Sequence, residues 1–298
     1  MGGTMDYRDW EILKVLFLQK NLTKTARLLF LTQPALTTRL KHMQEELGVK
    51  IVTRESRGVH FTPQGEYLVQ CAEEALAHYE KIKENVQNMS NNESDQVVGT
   101  LKLGVSNFFA NYELPYVLKL FKMQYPHVEF KVITGWSRDV TQLIHNKDVH
   151  ISFVRGDYGW RGLSKHQLFE ETICIASSNE FDIKDLPRLP RIEYKGDYLL
   201  RSVIDHWWAE NYAEAPFISI EVDQVDPCKE MVINGLGYCI LSSRVLKGIE
   251  DIYKIHLQDL EGKPILRRTW MYYHKEAMEW NVVKAFVNFI EKFDWRDN

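Results

Sequence analysis

Three groups of residues in this 298-residue chain have types and spacings that could do chemistry. The first is Gln33, Thr37, Thr38, Arg39 and Lys41, short hydrogen-bonding groups with cations further along. They interleave with Leu36, Leu40, Met43 and Leu47, whose spacing places an apolar stripe on one side of a helix and the polar set on the other. A helix entering a major groove by its first turns needs this arrangement, small polar groups for base edges and cations for phosphates. An ordinary solvated helix face has the same composition, so the flanking chain has to decide. The second group is Ser106, Asn107, Phe108, Trp136, Ser137 and Arg155, a mixture of donors, aromatic rings and a cation suited to a small organic anion. The third is Cys228, beside Pro227 at an expected helix start, where the helix dipole lowers a thiol pKa.

The flanks of the first group supply a frame. Thr23 can cap a short helix over 24–30 with Ala26 and Leu29 inward. Leu31-Thr32 then turns, Thr32 is a good N-cap, and Gln33-Pro34 opens the next helix, where proline is tolerated because first-turn amides lack partners. Gly48 ends it. Residues 51–54 and 59–61 read as paired strands around the basic turn Ser56-Arg57-Gly58, which makes a winged helix-turn-helix. An opening helix over 6–20, with Trp10, Leu13, Leu16 and Phe17 on its core face, supports it. The candidate DNA contacts are Thr32, Gln33, Pro34, Thr37, Thr38 and Lys41 on the helix, with Arg54 and Arg57 near phosphates.

The run TKTARLLFLTQPALTTRLKHMQEELGVKIVTRESRGVHFTPQGEYL resembles the N-terminal domain of LysR-type transcriptional regulators over its whole length, without a gap. Thr62-Pro63 starts a long helix over 63–90, in which Leu68, Ala72, Ala75, Tyr79, Ile82, Val86 and Met89 alternate in steps of four and three. Such a seam, flanked by charged residues, is the pattern of a coiled coil, and the expectation is a dimer reading two half-sites. In the resembled family this helix forms the dimer, and the assembly is commonly a tetramer. Residues 91–98 read as a polar hinge.

From Gly99 the pattern changes to alternating strands and helices, which implies an α/β domain with a largely parallel sheet. Strands are expected at 100–105, 128–133, 150–154, 172–176, 217–222, 237–241 and 268–273. Helices are expected at 113–125, 140–145, 199–210, 227–234 and 276–293. The arrangement resembles the effector-binding half of LysR-type regulators, a two-lobed fold similar to periplasmic solute-binding proteins. The chain therefore reads as an α+β multidomain protein. Residues 5–62 form the DNA-binding domain, 63–90 the linker helix, and 99–298 the effector domain, with lobe one over 99–172 and 268–298 and lobe two over 173–267.

Ligands of open α/β sheets bind beyond the carboxyl ends of strands, near unpaired helix N–H groups. There lie Ser106, Asn107 and Phe108, then Trp136 and Ser137, then Arg155 and Gly156; lobe two contributes Arg201, Gln224 and Val225. Together they favour a small anionic metabolite, although Arg155 could equally pair with Asp157 or another acid.

The balance of charge agrees with one DNA-facing end. Residues 5–62 carry ten Lys/Arg and six Asp/Glu, about +4, against about −8 for the remainder. No stretch approaches the ~20 apolar residues of a membrane span and no signal peptide opens the chain, so a cytoplasmic bacterial protein is expected. Four cysteines without CxxC or Cys/His clustering indicate neither zinc nor a disulfide framework. GxSxG, P-loop and GxGxxG patterns are missing, so no enzyme activity and no cofactor beyond the effector are expected. The partners implied are double-stranded operator DNA at promoters, the metabolite, further copies of the chain as homodimer or homotetramer, and RNA polymerase. The alternative on the same scaffold is a thiol-based redox sensor using Cys228, with Cys239 eleven residues on.

Overall fold

The computed structural model describes residues 5–55, 58–90 and 97–295. The chain divides into two compact units, Met1–Gln87 and Asn88–Asn298.

The first unit begins with α1 (Tyr7–Gln19), opened by a capping box in which Asp6 and Asp9 satisfy each other's backbone N–H. Helix α2 (Leu22–Leu28) is capped by Asn21, whose side chain accepts from the Lys24 N–H at 2.9 Å. The cap is therefore Asn21 rather than Thr23, since asparagine is the better placed acceptor two residues earlier. Helix α3 (Gln33–Leu47) starts at Thr32, whose hydroxyl accepts from Ala35 N–H at 3.3 Å, and ends at Gly48 in the left-handed region. Ile12, Leu13, Leu16, Ala26, Leu36, Leu40 and Met43 form the core, while Leu47 is 40% exposed and falls off the expected stripe. Strands β1 (Val52–Glu55) and β2 (Gly58–Phe61) pair antiparallel as the wing.

Helix α4 (Pro63–Ser90) is seated by Thr62, which accepts from Gly65 N–H. A Cβ at Gly65 would lie 2.1 Å from the Ile51 carbonyl oxygen, so the helix start crosses the chain at glycine only. The inward stripe of α4 is Val69, Ala72 and Leu76. This corrects the first half of the expected seam, because Ala72 is committed to the unit's own core and Leu68 packs beside it. Tyr79 meets the Tyr7 ring at 4.7 Å, and Tyr79, Ile82 and Val86 remain about half exposed at 51%, 48% and 55%. The Met89 side chain and most of the 91–98 hinge lie outside the described residues.

The second unit is built on a seven-stranded sheet ordered β10 (Tyr253–His256), β6 (Ser164–Ser177), β11 (Leu266–Tyr273), β5 (Ile151–Arg155), β3 (Gly99–Ser106) and β4 (Val128–Gly135), with β9 (Cys239–Ser242) also on β6. Strands β3, β4 and β5 are parallel. The 14-residue β6 pairs antiparallel with β11 along its first half. Its second half pairs antiparallel with β9 and β10. The sheet is thus mixed rather than largely parallel. The reason is that β6 and β11 run between the lobes and carry the lobe-two strands with them.

A separate parallel pair joins β7 (Arg191–Tyr194), unanticipated, to β8 (Ile218–Val222). Helix α6 (Leu114–Gln124) is the helix expected at 113–125, but a short α5 (Asn107–Tyr112) precedes it in place of a loop; the chain breaks at Glu113 and Pro115 restarts it. Helices α7 (Ser137–His145), α8 (Tyr198–Asn211) and α9 (Val225–Ile233) follow their strands. The closing helix α10 (Asn281–Glu291) is preceded by a 3-10 turn at Lys275–Glu279 instead of beginning at 276. One core runs from Leu101, Val105, Phe121 and Phe286 to Cys228, Leu241 and Leu246, so lobe one and α9 share packing. Lobe two has a second core around Leu200, Trp207, Trp208 and Tyr238.

Candidate DNA interface and effector cleft

On α3 the residues opposite the buried stripe are Thr32, Gln33, Pro34, Thr38 and Lys41, all exposed, with Thr37 half-buried. The Gln33 side chain accepts from the Thr23 hydroxyl at 3.1 Å, which joins the start of α2 to this face. Thr23, expected from the sequence as a cap, is instead a surface group of this face. Lys41 pairs with Glu45 at 3.4 Å, an exposed contact of little energetic weight. Arg39 leaves this face altogether. Its guanidinium donates to Asp9 at 2.8 Å and Asp6 at 2.6 Å, tying α3 to the capped start of α1. Although burial pulls the Asp6 carboxyl up, Arg39 and the Asp9 N–H hold it below the usual range. Arg54 belongs to β1, but its side chain and the whole of Arg57 lie outside the described residues.

In the second unit one recess of about 410 Å³, open at its mouth, lies at the ends of β3, β4 and β5. Ser106, Asn107, Phe108, Trp136, Ser137, Arg155, Gln224 and Val225 line it, together with Gly135, Tyr194, Asp197 and Arg267. Helices α5, α7 and α9 all start here, at Ser106, Trp136 and Gln224, and none of these caps its helix with a side chain. Their first-turn N–H groups leave positive potential toward the recess.

Two buried guanidiniums also line the recess, each already paired with a carboxylate. Arg155 donates to Glu171 and to the Ser242 hydroxyl at 2.6 Å, its Cζ lies 3.7 Å over the Phe108 ring, and its Nε has no partner. Its acid is therefore Glu171; Asp157 instead pairs with Lys165 and Tyr272. Arg267 donates to Asp197, which also caps α8 by accepting from Leu200 N–H at 3.1 Å. Burial, with the like charge of Arg155 nearby, pushes Arg267 down to about 10. The Ser106 hydroxyl is buried and unpartnered, while Ser137 accepts from the Arg155 N–H at 3.1 Å.

Gly156 and Arg201 do not line this recess. At Gly156, φ is +93° and a Cβ would stand 2.7 Å from Leu199, so glycine serves packing there. Arg201 is 58% exposed in its side chain and faces Glu193 and Asp205 beside a separate recess of about 320 Å³. Asp197 carried a sequence signal, an N-cap residue just before an expected helix. Arg267 carried none, since it opens an antiparallel strand rather than ending a parallel one.

Residues 7–66 match the model of the bacterial regulatory helix-turn-helix protein, lysR family, and residues 94–294 that of the LysR substrate binding domain. The chain belongs to the LysR family of transcriptional regulators. It is 39% identical to the HTH-type transcriptional regulator YraN of Bacillus subtilis (strain 168), over 96% of this chain and 98% of that protein. YkuM of the same organism is 34% identical over 96% and 97%. Among solved structures, full-length CbnR complexed with its target DNA shares the fold at TM-score 0.69 and 15% identity, covering 97% of this chain and 99% of that one. Vibrio fischeri DarR in complex with DNA matches at TM-score 0.67 and 16% identity, over 98% and 100%. This LysR-type regulator thus combines a DNA-binding helix-turn-helix with an effector-binding domain. Among its described residues no helix is long and apolar enough to cross a membrane.

Proposed function

We propose that operator binding through α3 and the wing is controlled by a small anionic metabolite held in the recess between the lobes. The observation that carries this reading is the convergence of three helix starts without side-chain caps and two buried guanidiniums on one opening. Both guanidiniums already have carboxylate partners, so the ligand adds its charge to nearly neutral pairs and draws on the helix N–H groups and the Ser106 hydroxyl. Base edges are read by Gln33, Thr37 and Thr38, and phosphates by Lys41, Arg54 and Arg57. Ile82 and Val86, half exposed on α4, fit burial against a second copy, giving a homodimer that engages two half-sites in a bacterial cytoplasm. Ligand acts by favouring one packing of the assembly, which changes half-site spacing or DNA bending. Tetramer formation and contact with RNA polymerase extend the same reading.

For the redox alternative, Cys228 and Cys239 do lie side by side, but both are fully buried. Cys228 is fully buried on α9, with its Sγ 3.8 Å from the Ile192 carbonyl. Burial pushes Cys239 well up and Cys174 up to about 12, the reverse of a reactive thiolate.

A thermal-shift panel of small mono- and dicarboxylates and phosphate esters on the full chain tests the effector reading. A ligand at ~100 times its dissociation constant adds about 2.7 kcal/mol. The expected result is a stabilising compound whose effect is lost in Ser106→Val and Trp136→Ala. A stabiliser indifferent to both substitutions would place the site elsewhere.

A further inference from the structure

Where α5 gives way to α6 on lobe one, its last two residues, Asn111 and Tyr112, and the break residue Glu113 form a junction. All three side chains cross to lobe two. The Asn111 amide donates to Asp226 Oδ2 at 2.9 Å, and the Tyr112 hydroxyl donates to Asp226 Oδ1. Lys229, one turn along α9, reaches the Tyr112 oxygen at 3.3 Å and Asp226 at 3.5 Å, so the carboxylate is held from three directions. Burial and the Asp226 charge push the Tyr112 phenol up, keeping its proton in place. Next in sequence, Glu113 accepts from Arg244 at 2.9 Å, in the 3-10 turn that follows β9. Arg244 is itself fixed over the Phe169 ring at 3.9 Å and donates to the Trp295 carbonyl.

The junction is also wired to the recess. The Tyr112 ring stacks on Phe108 at 4.9 Å and 27°, and Phe108 carries the Arg155 guanidinium. On the other side, Asp226 directly follows Val225, the first residue of α9 and part of the lining. Any widening of the recess that separates α5 from the start of α9 must break the Asp226 contacts.

We propose that the Asn111-Tyr112-Glu113 junction is the inter-lobe clasp that sets the width of this recess, with Tyr112 and Asp226 as its positioning residues. Its geometry stands without a ligand; only its consequence for effector affinity rests on the function proposed above.

The test is a distance measurement on the full chain without added metabolite. Spin labels at Lys119→Cys on α6 and Ala209→Cys on α8, both exposed, report the separation of the lobes in a Cys71→Ser background. Labelled chain is diluted with unlabelled chain so that only distances within one copy are read. Tyr112→Phe and Asp226→Asn should each shift the distribution to longer separations and broaden it, with helical circular dichroism unchanged. An unchanged distribution in both variants overturns the clasp. Should Tyr112→Phe fail to fold, Asp226→Asn decides alone, because its side chain is 40% exposed and replaced by an isostere. Failure of every metabolite to stabilise the unsubstituted chain would defeat the effector reading while leaving the distances to judge the clasp.

Discussion

Replacing Asp197 by Asn should destabilise the effector domain by about 3 kcal/mol, and replacing it by Ala by about 4. Asp197 has two roles that these substitutions separate. It accepts from Leu200 N–H as the cap of α8, and it neutralises Arg267, with the side chains of the pair only 6% and 8% exposed. Removing one partner of a buried pair costs about 3–5 kcal/mol, because the other charge is left without compensation. An asparagine oxygen still caps the helix and still accepts weakly from the guanidinium, which sets the lower end of that range for Asp197→Asn. Alanine loses the cap as well, adding about 1 kcal/mol. Adding Arg267→Met to Asp197→Asn should recover most of the loss, since the desolvated cation is then gone. Urea unfolding followed by tryptophan emission is a suitable assay, because Trp207 and Trp208 are buried on α8 itself. A loss below about 1 kcal/mol for Asp197→Asn, or a double variant no better than the single, would show that the buried Arg267 charge does not depend on Asp197.

Phe30, in the turn before α3, is 95% exposed at φ +55°, so its ring buries almost nothing while its backbone sits in the left-handed region. Phe30→Asn should stabilise the first unit by about 0.5–1 kcal/mol, seen as a higher melting midpoint; a lower one would show the ring packs on something. Gly65→Ala forces a methyl group onto the Ile51 carbonyl and should cost at least about 2 kcal/mol in a urea titration, with near-neutral behaviour speaking against the tight crossing of α4. Asp6 has a folded pKa below its usual 3.8, so its contribution is present above that value and is lost as pH falls through the folded pKa. Arg39→Gln should flatten that acid limb of the stability curve; an unchanged limb would remove Arg39 as its cause.

The winged unit was legible because its signals are local. Thr32 before Gln33-Pro34, Gly48 after the helix and the stripe Leu36, Leu40, Met43 each describe a few adjacent residues. Arg39 is the opposite case: its partners Asp6 and Asp9 are thirty or more residues away, and a cation facing solvent and one held in an intramolecular ion pair look alike in sequence. The same limit governed α4, whose apolar positions Leu68, Val69, Ala72, Ala75 and Leu76 support two stripes, and only the tertiary fold shows that Val69, Ala72 and Leu76 face inward. At the recess, the strand-end rule located residues on parallel strands and helix starts. It had no purchase on Arg267, which enters from the antiparallel β11, or on Tyr194, at the end of a short strand hidden among prolines and charges.

The proposed control requires that occupancy of the recess change how the assembly holds DNA. Its most direct test is a footprinting and bending measurement on a duplex selected by the full chain from a random pool. It is run with and without a compound found to stabilise the protein through Ser106 and Trp136. Ligand should alter the bend or the spacing of protected half-sites, while Gln33→Ala should abolish specific protection in both conditions. Identical footprints and bends at saturating ligand would contradict it.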